Sequence, residues 1–164
     1  MGNTEPLASA FPRQTANREN LKSLRLAYCL AAFAAFLGGV AVYALFRDTG
    51  GMALFNHFPH PPFPSAPRIQ LGTETIFGYF LVFNMTHGLW CLSALLVVRA
   101  VWLAHPKWRA AYGGIFIAAA SGFELLQLNE NVPGTFDALD LASYGIFAFL
   151  ESVVYNTFTR RRVL

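Results

Sequence analysis

Long apolar runs separated by short polar clusters set the pattern of this chain. Leu26 to Phe46, Thr75 to Val98 and Ala110 to Phe123 carry no charged residue, and Leu141 to Thr159 carries only Glu151. Each run approaches the ~20 apolar residues that cross a hydrocarbon core about 30 Å thick. The pattern predicts an all-α fold, a four-helix transmembrane bundle. It forms a single domain over residues 23–160, behind a disordered cytoplasmic tail over 1–22. Lys22 and Arg25 precede the first run, as they would in a signal peptide. The run outlasts such a peptide's apolar core, and no small-x-small cleavage site follows it cleanly, so it reads as a retained helix. The stretch Phe55-Asn-His57-Phe-Pro-His60-Pro-Pro-Phe63-Pro forbids a regular helix. It predicts a Pro- and aromatic-rich outer loop between the first two helices.

Composition agrees with a bilayer protein. The chain is 55% hydrophobic and 13% charged, where soluble domains carry about 25% charged residues. Cations cluster at three membrane edges: Arg13, Arg18, Lys22 and Arg25; Arg99, Lys107 and Arg109; and Arg160, Arg161 and Arg162. The other two loops hold only Arg47 and Arg68 as cations. The positive-inside rule then places both termini in the cytoplasm, in a membrane expected to be the bacterial inner (plasma) membrane. The net charge of +3 is this anchoring. It is not a nucleic-acid footprint, which would gather the cations on one face with interleaved aromatics. Cys29 and Cys91 fall inside runs and read as small packing residues. A small residue recurs every fourth position in two runs: Ala27, Ala31, Ala35, Gly39 and Ala110, Gly114, Ala118, Gly122. Such stripes permit close backbone approach and are expected to face other helices. They also suit docking to a membrane-protein partner or a second copy.

The chemistry concentrates in one stretch. Glu124 and Gln127, at i and i+3, close the third run on one face; Pro133-Gly134 turns the chain; Asp137 and Asp140 open the fourth. Asp137 suits the N-cap and Asp140 the first turn, where the helix dipole favours carboxylates. A cap alone would explain Asp137. Four acid or amide groups around one turn point to a shared site, since such groups are costly in a bilayer. Along the second run Asn84, His87 and Cys91 share a face. His87 and Glu151 each lie about halfway along their runs, which predicts a His87–Glu151 pair. His57 and His60, as His-x2-His, are a weak metal signal without a neighbouring Cys, and no metal or cofactor is expected. No phosphate-binding glycine loop, nucleophile elbow, His-Glu-x-x-His or Cys-x-x-Cys motif occurs.

Phe123-Glu124-Leu-Leu-Gln127, the turn Pro133-Gly134-Thr135-Phe136-Asp137 and Asp140-Leu-Ala-Ser-Tyr144 resemble the signature of the VanZ-like membrane proteins. Asn84-Met-Thr-His87-Gly88-Leu-Trp90 resembles the polar break of some members. The likeness covers about Leu24 to Tyr155. The chain departs from it at Thr135, Tyr144 and His87, where many members carry Arg, Asn and Asp. The resemblance implies a four-span envelope protein and no defined reaction. The expected function is non-enzymatic: binding of a membrane lipid headgroup or lipid-linked precursor in an outward-facing pocket. Glu124, Gln127, Asp137 and Asp140 would form its rim, and Asn84 and His87 its floor. The alternatives are an intramembrane enzyme using the carboxylates, and an accessory subunit of a larger membrane complex.

Overall fold

A computed structural model describes residues 11–46, 73–129, 131–132 and 135–163. The loop bearing His57 and His60 lies outside the described residues. Among those described there are helices and turns and no strand. We number the helices α1 (Phe11–Phe46), α2 (Ile76–Val101), α3 (Pro106–Leu126) and α4 (Ala138–Val163). Three of them contain stretches long and apolar enough to cross a membrane: Glu19–Phe46, Ile76–Val101 and Ala138–Asn156. The all-α expectation therefore holds.

Helix α1 begins at Phe11, within the stretch read as a tail. Pro12 sits in the first turn, the one place where a missing N–H does no harm. Arg, Gln, Glu and Lys, all good helix formers, follow it. Lys22 adds a contact to Glu19 at 2.8 Å on the same face.

Helix α2 is the hub. It packs against α1, α3 and α4, whereas α3 and α4 touch each other only sparsely. Thr75 caps it, its hydroxyl accepting from Gly78 N–H at 3.0 Å. Phe80–Asn84 forms a π turn, in which Met85 N–H reaches back to the Phe80 carbonyl. Two glycines let neighbours approach. A methyl on Gly88 would fall 2.2 Å from a ring carbon of Phe147 in α4, and one on Gly39 would fall 2.5 Å from Trp90 Nε1. At the α1–α2 seam Tyr28, Ala32, Leu96 and Ala100 form a buried cluster, with Tyr155 of α4 packed against it.

The small-residue stripes meet different fates. On α1 the packed face is Tyr28, Ala32 and Gly39, while Ala27 and Ala31 are exposed. The buried face is thus offset by one position from Ala27 and Ala31. On α3 a methyl at Gly114 or Gly122 would meet nothing within 4 Å. Ala110, Gly114 and Ala118 of that stripe instead line a cavity shared with residues of α2 and α4.

Polar and apolar side chains share the interior, while the exterior is rich in large apolar ones. Asn84, Thr86 and Ser143 are the largest fully enclosed side chains, while Phe149 is 68% and Ile115 63% exposed. Lipid offers no hydrophobic drive toward the centre, so polar groups collect inside and apolar ones face outward. The α2–α3 corner carries stacked aromatics, with the Trp102 and Tyr112 rings 5.1 Å apart and Trp108 beside them. Such rings favour the headgroup level of a membrane.

Candidate functional site

The turn between α3 and α4 gathers the acidic residues. Glu124 lies in the last turn of α3 and is only 4% exposed. Its Oε1 accepts the Asp137 backbone N–H at 2.8 Å, which pins the start of α4 to the end of α3. Asp137 caps α4, accepting the Leu139 N–H at 2.8 Å. Asp140, one turn on, is buried. The Asn84 amide of α2 donates to both acids, to Asp137 Oδ2 at 3.0 Å and to Asp140 Oδ1 at 2.8 Å. Imidazole Nδ1 of His87 lies 2.7 Å from the same Asp140 oxygen.

The π turn makes this convergence work. In a regular α-helix Tyr79 and Asn84, five positions apart, would point in different directions. The wider turn brings both to the Asp137 side. Tyr79 also hydrogen-bonds Asp137. Burial pushes the Asp137 carboxyl up. Hydrogen bonds from Asn84, the Leu139 N–H and Tyr79, with His87 nearby, outweigh burial and hold it below the ordinary 3.8.

Around these groups lies a cavity of about 480 Å³. Glu124, Gln127, Asp137, Asp140 and His87 line it, among the rings of Tyr79, Phe83, Phe123, Phe136 and Tyr144. Asn84 is fully enclosed behind the two aspartates, and its Oδ1 has no hydrogen-bond partner among the described residues. All six expected site residues therefore belong to one constellation. The aromatic wall is a feature that the spacing of the polar residues does not signal. Tyr79 gave no signal, because its place depends on the π turn. No group of three or more His, Cys, Asp or Glu among the described residues has the spacing to hold a metal ion.

The expected His87–Glu151 pair is corrected. His87 pairs with Asp140, and Glu151 pairs with Arg99 of α2. Arg99 Nη2 donates to Glu151 Oε2 at 2.5 Å and Nε donates to Oε1, both partners being buried. The contacts 87–140 and 99–151 join residues 53 and 52 positions apart, the mark of two parallel helices in one register. Glu151 lies about three turns beyond Asp140, roughly 16 Å along the axis at 1.5 Å per residue. His87 cannot span that distance.

The Arg99–Glu151 pair borders a second cavity, of about 560 Å³, toward the α2–α3 corner. Arg99 Cζ lies 3.8 Å and Arg109 Cζ 4.5 Å from the centre of the Tyr155 ring. No family model, no curated protein and no solved structure matches the chain.

Proposed function

We propose that this is a small integral membrane protein of the cell envelope whose acidic cavity binds the headgroup of a membrane lipid or lipid-linked precursor. One observation carries the reading: groups from three helices converge on one cavity ringed by aromatic side chains. Three carboxylates and one imidazole favour a cationic or hydroxyl-rich headgroup over a bare phosphate, which would want Arg or Lys. The aromatic rings suit the glycerol or prenyl portion that follows a headgroup.

The topology belongs to the same reading. Helix α3 has 21 residues, about 31 Å at 1.5 Å per residue. Its exposed Ile115, Phe123, Leu125 and Leu126 suit lipid. We place it as the fourth span, with both termini cytoplasmic and the acidic cavity facing outward in a bacterial inner membrane. The kinship to VanZ-like proteins rests on the same Glu124, Gln127, Asp137 and Asp140 and stands or falls with the site.

The test is native mass spectrometry of the protein purified with its lipids. Lipids bearing amine or sugar headgroups are expected to be retained over phosphatidic acid, whose phosphate is bare. Each of Glu124→Gln and Asp140→Asn is expected to reduce retention about tenfold, the effect of one charged hydrogen bond. Unchanged retention in both variants refutes the reading. A second reading, an intramembrane enzyme, is favoured by the 2.7 Å contact of His87 with Asp140. A carboxylate on one imidazole nitrogen orients the other for proton transfer. Conversion of the retained lipid on incubation, lost in His87→Gln, would favour it. The open stripe of α3 is the face on which a membrane-protein partner or a second copy would dock.

A further inference from the structure

We propose that the corner-end cavity is a second binding site, and that it takes a phosphate group carrying a single negative charge, as a phospholipid phosphodiester does. Arg99, Arg109 and Glu151 line this cavity together with Gly113, Gly114 and Ile117. Arg99 is 6% exposed. A guanidinium presents five N–H donors. Glu151 occupies the Nε and Nη2 edge, and Nη1 has no partner among the described residues. The hydroxyl of Tyr28, in the core cluster that Tyr155 packs against, is likewise buried and unpartnered.

Charge completes the argument. Among the described residues, two guanidiniums share the Tyr155 ring and one carboxylate, paired with Arg99, offsets them. One formal positive charge is left over in a partly dry setting, where an unneutralised ion is costly. An anion of one charge removes that cost. Arginine's planar fork matches phosphate oxygens; half-buried Arg109 offers it at the cavity, and Arg99 behind it has its buried Nη1 still unpartnered among the described residues. The surroundings fit a lipid as the phosphate's carrier. Trp102, Trp108 and Tyr112 mark headgroup level at this corner. Leu95, Val98 and Ile117 offer apolar wall to a glycerol backbone and chain. At Gly114 the wall lies open, so a chain enters sideways between α3 and α4. The site is separate from the acidic cavity, shares no lining residue with it and selects the opposite charge.

The experiment offers the full chain, purified in mild detergent and stripped of lipid, three probes in turn: phosphatidylglycerol, phosphatidylcholine and inorganic phosphate. Bound molecules are counted by native mass spectrometry. One phosphatidylglycerol per chain, weakened about tenfold by Arg109→Gln while phosphatidylcholine held through its cation in the acidic cavity is not, is the expected result. Retention of inorganic phosphate with the same Arg109 dependence also supports the site and identifies free phosphate as its occupant. Arg109 is only half-buried, so its removal spares the fold. Arg99→Met with Glu151→Met replaces the ion pair without stranding a charge, and loss of phosphatidylglycerol binding in that folded variant is expected. Binding of phosphatidylglycerol and phosphate that is unchanged from wild type in both variants overturns the proposal, as does the absence of any binding of either probe.

Discussion

At the turn end of the bundle, Asp137 and Asp140 share the Asn84 amide and Asp140 also meets His87; at the corner end, Glu151 pairs with Arg99. Both ends use the same helix pair, α2 against α4, in the same parallel register. The turn end lends its carboxylates to main-chain work, one accepting from the Asp137 N–H and one capping α4. The corner end does none of this. Its carboxylate is spent on a single bidentate partner. The first region can lose one contact and keep others. The second is a matched pair in which removing either half exposes a buried charge.

That contrast gives an order of expected effects. The largest is Glu151→Leu, which strands Arg99 and should cost about 3–5 kcal/mol. Thermal unfolding in detergent measures it, and Arg99→Leu on the same chain should restore most of the loss. A double variant no better than the single would break the comparison. Asn84→Leu should cost less, about 2 kcal/mol, for two amide hydrogen bonds to carboxylates at the turn end. Combining it with the Glu151 change should give additive losses, because the sites lie far apart on the helix axis. The smallest effect is one of pH. Asp137 ionises more readily in the fold than its ordinary 3.8. Its stabilising contribution is thus fully present above that value and is lost as pH falls through the lower folded one. Asp137→Asn should flatten this acid limb of a stability profile and leave the curve at neutral pH almost parallel to the wild type.

Much of the turn end was legible before any coordinates. A short connection between two apolar runs forces Glu124, Asp137 and Asp140 together, and helix ends ask for caps. Local chemistry sufficed there because the turn keeps those three residues close along the chain. The corner end was not legible. Arg99 reads as a membrane-edge anchor, one cation among three around the α2–α3 connection. The helix runs on to Val101 and carries Arg99 into the bundle instead. His87 and Glu151 each lie halfway along their runs, which suggests equal depth. The two helices are staggered: Asp137, just before α4, sits level with Asn84, about two turns below the start of α2. Equal fractions of two helices are equal depths only when the helices begin together.

Residue order alone therefore settled the helices, their apolar character and the acidic turn, since each depends on neighbours within a few positions. Partner choice came from packing. Gly88 beneath Phe147 sets how closely α2 and α4 approach, and the π turn sets which way Tyr79 and Asn84 face. Those two contacts decide that Asp140 meets His87 and that Glu151 meets Arg99, because an ion pair forms only where backbone spacing, depth and direction coincide.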